Sequence, residues 1–286
     1  RTRAPLLRPD DWGSVAGGRA GKGKTLVMTQ DSATAGRDAG IKALVIHLDR
    51  ATAREAQVEA LCDASPFPAS VVSAIDARDP AGSGAEAWGE YRAGLMAPRY
   101  PYGLRDSEVA CFRSHRKCWT MILEQNLEAA LILEDDVEID RAGFADAVAL
   151  VLPALRQGDF VRFPYKRRED EGQQIARNGD IVLRRPREVA LGMQAQIVTR
   201  EAARRLLEAT AVFDRPVDCL LQMPWVHGAR VLSVWPSGIS ERSGDLGGST
   251  IGHKTLGWSK IKREIQRPIY RHRLARLARA HFDAQG

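Results

Sequence analysis

Five small or apolar residues, Ala129-Ala-Leu-Ile-Leu133, run directly into three carboxylates, Glu134, Asp135 and Asp136. An apolar run this short reads as a fully buried strand, and its end carries dense negative charge. In open α/β sheets, ligands bind beyond the carboxyl ends of the strands. Acidic groups placed there attract a divalent cation, and a cation attracts phosphate. The stretch therefore predicts a metal–diphosphate site, and the rest of the chain must supply the pockets and a base around it.

The flanking pattern fits a sheet of this kind. Ala43-Leu-Val-Ile-His-Leu-Asp49-Arg50 is apolar and β-branched, as a strand should be. Residues 50–61 read as an amphipathic helix, with Ala56, Val58 and Leu61 inward and Arg54, Glu55 and Glu59 outward. A second strand over 70–75 ends at Asp76. Strand, helix and strand make a βαβ unit with an expected right-handed crossover. Residues 77–105 lack a clear period and read as a long loop with short helical pieces. The strongest helix spans 106–126, with Val109, Phe112, Trp119, Ile122 and Leu123 on one stripe and Asp106 or Ser107 as its cap. Ser114 and His115 lie mid-helix near the inner side. Further expectations are a helix over 141–155 capped by Asp140, a strand over 160–163, a surface loop over 166–174, an edge strand over 181–183, a strand over 195–199 leading into a helix over 200–209, and a last strand over 231–235.

Composition sets outer bounds. Hydrophobic content of 44% and charged content of 27% are ordinary for a globular chain. No apolar run reaches the roughly 18 residues a membrane span needs, and no basic-then-apolar leader opens the sequence. Cys62, Cys111, Cys118 and Cys219 show no close pairing, which favours free thiols in a reducing cytosol. Gly18-Arg-Ala-Gly-Lys-Gly-Lys24-Thr25 matches a phosphate-binding loop, but such a loop needs a strand before it and a helix after it. Neither flank fits, so residues 1–41 read as a flexible basic leader. The chain carries a net charge of +6. Between Lys260 and Arg279, eight basic side chains face the single acid Glu264. Ile261, Ile265, Ile269, Leu274 and Leu277 are interleaved with them, and Pro268 should split the segment into two helices. Charge alone suits nucleic acid or an anionic membrane surface, and a basic amphipathic helix suits the membrane.

In this order the segments resemble glycosyltransferase family 25, which includes lipooligosaccharide-biosynthesis and collagen galactosyltransferase enzymes. Val45-Ile-His-Leu-Asp-Arg50 with Arg54 is similar to its opening strand and arginines. Ala74-Ile-Asp76-Ala, Glu108-Val-Ala-Cys-Phe-Arg-Ser-His115, Ala130-Leu-Ile-Leu-Glu-Asp-Asp136 and Asp214-Arg-Pro-Val-Asp218 follow as its later motifs. The likeness covers residues 42–252. Departures are His47 for a usual asparagine, Ser107 for a glycine, and Met193-Gln-Ala for a glycine-rich turn with a tyrosine. The resemblance implies a GT-A-type, Rossmann-like three-layer α/β/α domain with a mixed, mainly parallel sheet over residues 42–257, followed by a basic amphipathic helical tail over 258–286. It implies an enzyme that moves a hexose, with galactose the first candidate, from a UDP-sugar to a hydroxyl of a lipopolysaccharide-type or other glycan, with inversion. The alternative is a non-catalytic glycan- or protein-binding relative that keeps the fold.

The resemblance also implies roles. Asp136 would hold Mn2+ or Mg2+, because the available ligands are hard oxygens. Asp135 would contact ribose, with Glu134 supporting from behind. His47, Asp49, Arg50 and Arg54, at a strand end and helix start, would bind donor anions. Asp76 would hold ribose or uracil, and Ser114 and His115 would face the donor. Each has a plainer reading as a turn, cap or packed polar group. Asp218 is the candidate general base, with Asp214, Glu188 and Glu241 as alternatives, and His253 could complete the metal shell. A lipid-linked acceptor at the inner membrane would suit the basic tail. No nucleic-acid partner is expected, and the expected location is cytoplasmic, peripheral to that membrane.

Overall fold

The computed structural model describes residues 40–81, 84–169, 172–242 and 258–285, with the side chains of 258–265 left out. The leader before Gly40, its phosphate-loop-like motif and His253 lie outside the described residues.

An eight-stranded sheet is built from β1 (Ile41–His47), β2 (Ala69–Ser73), β4 (Ala129–Glu134), β6 (Asp159–Arg162), β7 (Gly172–Asn178), β8 (Ile181–Pro186), β9 (Ala195–Thr199) and β11 (Arg230–Trp235). Their spatial order is β2-β1-β4-β9-β6-β11-β8-β7. The pair β1/β2, the pair β1/β4 and the pair β6/β11 are parallel; β9 and β8 run against their neighbours. Six of the eight strands therefore point the same way, and the sheet is mixed, as expected. Two small ladders lie outside it: β3 (Glu90–Tyr91) pairs with β10 (Val212–Phe213), and β5 (Val137–Ile139) pairs with β12 (Ile239–Glu241).

Alternation along the central strands sorts side chains between two faces. Ala43, Val45, Leu131 and Leu133 join one core with Val58 and Leu61 of α1 (Glu55–Ala64) and Phe144, Ala147 and Val151 of α3 (Arg141–Val151). Leu44, Ile46, Ala130 and Ile132 join the other. There they meet Phe112, Trp119 and Ile122 of α2 (Asp106–Glu124), Ala202 and Leu206 of α4 (Arg200–Ala209) and Leu220 of α5 (Val217–Leu221). Helices on both faces make three layers. Phe112 and Ile122 are fully buried, each contributing about 1.5–3 kcal/mol. The ring of Phe112 stacks on Phe213 at 4.0 Å.

Local chemistry mostly follows the sequence reading. Asp140 caps α3 through Gly143 N–H at 3.1 Å. The helix over 50–61 begins later than expected, with a 3-10 turn at Thr52–Arg54 before α1. At α2 the N-cap is Arg105, not Asp106 or Ser107, and Glu108 reaches back to accept from Arg105 N–H at 2.8 Å. The strand over 181–183 is not an edge. It pairs on both sides, and the edge is β7, whose polar, exposed Gly-Gln-Gln sequence hides a strand from any hydrophobic pattern.

The C-terminal segment forms one helix, α7 (Trp258–Asp283), continuous through Pro268. A proline removes a single main-chain donor, and packing beyond it holds the axis. Tyr270 and Leu274 bury against Met223 and the neighbouring Met96, Tyr100, Trp225 and Val226. Arg215, fully buried, ties this corner together. It pairs with Asp214 at 2.7 Å, donates to the Met96 and Pro98 carbonyls, and reaches the Tyr270 hydroxyl at 3.3 Å. Leu274 thus faces the domain, while Ile269 and Leu277 stay exposed among arginines.

Beside this corner, α6 (Pro224–His227) ends at a buried histidine. His227 Nδ1 accepts from Ala229 N–H at 3.1 Å, and its other nitrogen faces the Leu221 carbonyl at 3.4 Å. Burial pushes its pKa down to about 4 from 6.5. The folded state therefore binds fewer protons than the unfolded state between those values, so this contribution is complete above pH 6.5 and is lost as pH falls toward 4. Urea unfolding at pH 7 and pH 4.5 should show wild type losing about 2 kcal/mol more than His227→Gln.

Candidate active site

Parallel register brings the strand ends together. Ile46 lies opposite Glu134, and His47 lies opposite Ser73. The cleft beyond them has a volume of about 170 Å³. It is lined from β1 and its 3-10 turn by Arg50 and Arg54, from the end of β2 by Ile75 and Asp76, from α2 by Cys111, Ser114 and His115, and from β4 by Glu134, Asp135 and Asp136.

The three carboxylates have three different environments. Asp135 is engaged by the protein on both oxygens: Arg54 donates to Oδ1 at 2.5 Å, and His47 Nδ1 meets Oδ2 at 2.8 Å. The Arg54 and Asp135 side chains are only 9% and 12% exposed. Asp135 thus anchors the acidic turn to the first strand and its following turn, before any contact with a ribose. Glu134 meets His115 Nε2 at 3.2 Å, and the Gln196 amide nitrogen lies 3.4 Å from His115 Nδ1. With the amide donating, the imidazole proton sits on Nε2 and is shared with Glu134. Asp136 differs from both. Its Oδ1 is buried without a hydrogen-bond partner. Burial first, then the Glu134 charge, pushes its pKa up to about 7, with Arg54 opposing.

An unpartnered buried oxygen requires an explanation, and a divalent cation supplies one. A carboxylate oxygen among other carboxylates is the donor set that hard cations take, so Asp136 fits Mn2+ or Mg2+. The short ladder between β5 and β12 brings a further acid close, since Glu241 stands opposite Val137 and its charge also raises the Asp136 pKa. A second ligand set, Cys111, His115 and Glu134, has its donor atoms within 4.8 Å of one another. Its thiol is pushed well above its ordinary pKa by burial and surrounding carboxylates, which favours the protonated form. Cys111 carries no functional signal in the sequence, because a helical cysteine reads as packing. Only the fold turns it toward the acids.

Other expected residues have structural duties. Ser114 Oγ accepts from Ile75 N–H and donates to the Ala110 carbonyl, both at 2.9 Å, pinning the end of β2 to α2. Ser114 therefore lines the cleft with its hydroxyl already committed. Arg50 closes on Asp76 at 2.7 Å across one lip. Asp76 lies below its ordinary pKa because Arg78 N–H and then Arg50 stabilise its charge. Asp49 does not line the cleft: its carboxylate takes the Ser73 hydroxyl at 2.5 Å. His47 also lies behind the cleft wall, acting through Asp135.

Asp218, at the start of α5, is half-buried outside the cleft lining. It accepts from Cys219 N–H at 2.8 Å and Gly192 N–H at 3.2 Å. Burial raises its pKa against those two bonds, and the Glu134 charge adds to the rise. Gly192 has φ +116°, and a Cβ there would lie 2.5 Å from Gln194 Oε1. The turn before Met193-Gln-Ala thus still depends on a glycine. Of the alternative bases, Asp214 is excluded by full burial against Arg215. Glu188 is exposed and pairs with Arg279 at 2.6 Å.

Comparison with known proteins now bears on this cleft. The model of glycosyltransferase family 25 (LPS biosynthesis protein) matches residues 41–221. The chain belongs to that family. It is similar to a glycosyltransferase 25 family member from Drosophila melanogaster, 27% identical over 139 residues, covering 48% of this chain and 23% of that protein. A counterpart from Drosophila pseudoobscura pseudoobscura is 25% identical over 139 residues, covering 48% of this chain and 22% of that protein. The matched part spans less than a quarter of the length of either relative. Among solved structures, mannose-1-phosphate geranyltransferase from Thermus thermophilus overlaps 68% of this chain and 73% of its own at a TM-score of 0.33 and 14% identity. That distant overlap adds nothing to the family assignment.

Removing Arg54 would leave Asp135 charged and poorly paired in a nearly buried place, a loss of about 3–5 kcal/mol. Arg54→Met should lower the unfolding free energy by that order in urea titration, with Arg54→Lys intermediate.

Proposed function

We propose that the chain transfers a hexose, galactose being the first candidate, from a UDP-sugar to a hydroxyl of a lipopolysaccharide-type or other glycan, with inversion and with Mn2+ or Mg2+. The observation that carries this reading is the buried, unpartnered Asp136 oxygen in a cleft that also holds Arg50 and Arg54. A cation held there would neutralise charge gathering on a departing diphosphate. The positive charge of Arg50 and Arg54, held in place by Asp76 and Asp135, favours the same phosphates. Asp135 keeps lone pairs free for a ribose hydroxyl while holding the turn. Asp218 acts as the base: it takes the acceptor hydroxyl proton as that oxygen bonds the anomeric carbon. The bond to the diphosphate breaks, and its electron pair leaves with the diphosphate. A pKa raised by burial makes the carboxylate a stronger base. A lipid-linked acceptor on the inner membrane would suit α7, whose outer face shows Ile269 and Leu277 among Arg273 and Arg276. Among the described residues no helix is long and apolar enough to cross a membrane.

Calorimetry should give UDP binding that needs Mn2+ and falls about 100-fold in Asp136→Asn, a direct ligand losing at least what outer partners lose. Equal affinity in EDTA, or an unaltered variant, would sink the reading. Saccharide binding without any UDP binding would favour the non-catalytic alternative. In a transfer assay across UDP-sugars, Asp218→Asn should cut kcat by about 10²–10⁴ with UDP affinity retained.

A further inference from the structure

A second cavity, about 310 Å³, runs between α7 and the body of the domain. Its volume meets the range of roughly 300–1,000 Å³ typical of small-molecule sites. Three tyrosines shape it. Tyr100 stands edge-on to Tyr102 at 5.4 Å and to Tyr270 at 5.5 Å. Leu191 and Cys219 line its inner end, and Arg267 and Arg271 of α7 line its outer part.

The inner end touches the chemistry already described. Gly192 and Asp218, the chain neighbours of Leu191 and Cys219, are joined by a hydrogen bond of 3.2 Å. The same turn reaches the donor cleft two residues on, where Glu134 N–H donates to the Gln194 carbonyl at 2.9 Å, and the Glu134 charge is felt at Asp218. Tyr100 hydrogen-bonds Cys219, and the charge of Asp218 reaches the Tyr100 hydroxyl.

The outer part is cationic. Both arginines are exposed, and neither pairs with a carboxylate among the described side chains. The one carboxylate in the described groove lining, Glu188, is taken by Arg279 at 2.6 Å. Aromatic rings beside exposed guanidinium groups suit a ligand with apolar C–H faces and a carboxylate or phosphate. Guanidinium binds both anions in a two-point fork.

We propose that this groove is the acceptor subsite and that its ligand is an anionic saccharide. Arg267 and Arg271 hold the carboxylate or phosphate, and the tyrosines support a sugar ring whose hydroxyl turns to Asp218. The proposal rests on the transferase reading for its catalytic meaning, while the binding it asserts is measurable alone.

The test titrates the full chain with methyl glucoside, methyl glucuronide, glucose 6-phosphate and inorganic phosphate, and separately with UDP and Mn2+. At least one anionic sugar should bind tenfold or more tighter than methyl glucoside. Preference for the glucuronide identifies carboxylate, and preference for the sugar phosphate identifies phosphate. The double change Arg267→Glu and Arg271→Glu should abolish that preference. Ala275→Trp, which fills the groove from an accessible helix position, should remove saccharide binding altogether. Equal binding of neutral and anionic sugars, a preference that survives the double change, or inorganic phosphate binding as well as the sugar phosphate would each overturn the proposal. No saccharide binding by the wild-type chain, with UDP binding intact, counts against the groove alone. UDP loss with saccharide binding intact counts against the donor cleft alone.

Discussion

Everything at the candidate site depends on how one acidic turn is kept out of bulk water. Asp135 is held by Arg54 and His47, and that clamp draws the end of β4 against the end of β1. With Asp135 fixed, Glu134 is turned toward the His115 imidazole. Asp136 is left with a buried oxygen and no partner. Three consecutive carboxylates would repel one another if packed alike. Here one is neutralised by an arginine, one hydrogen-bonded to a histidine, and one pushed toward neutral pH. Unequal environments let three adjacent carboxylates share one turn.

The same logic extends to the turn that holds Asp218. Arg162, buried at the end of β6, pairs with Glu169 and donates to the Leu191 and Gly192 carbonyls. That network sets the turn whose Gly192 N–H meets Asp218. The candidate base is therefore held by backbone donors from a fixed turn, not by a mobile side chain. Its neighbour Cys219 opens onto the groove under α7. Helix α7 completes that groove with its own tyrosine and arginines.

Much of this is legible in residue order. Strands β1, β4, β9 and β11 announce themselves as mainly apolar runs, because burial on both faces leaves few polar positions. The acidic end of β4, Arg50, Arg54, Asp76 and the α2 histidine can be named from their motifs and the family resemblance, and all of these line the cleft, whereas His47 and Asp49, named in the same way, do not. Strand β7 cannot be read, since it is a polar, exposed edge held by a hairpin. The continuity of α7 through Pro268 escapes a sequence reading because local propensity ignores the packing of Tyr270 and Leu274 beyond it. Asp214 and Asp218 look alike in sequence, four residues apart. One is a fully buried partner of Arg215, and the other takes backbone bonds beside the site.

The sequence by itself determined the alternation of buried strands and amphipathic helices, the placement of carboxylates at a strand end, and membership of a family. These are properties of residue order, and the hydrophobic effect and strand geometry translate order into layers. Only the tertiary structure decided which carboxylate is clamped, which is shared with a histidine and which is left unpartnered. It alone turned Cys111 toward the acids, took Asp49 and the Ser114 hydroxyl into structural bonds, and set a tyrosine-lined groove beside Asp218. Such outcomes depend on contacts between residues far apart in the chain, and on burial that shifts a carboxylate's affinity for its proton. Neither is written in the local pattern around any one of them.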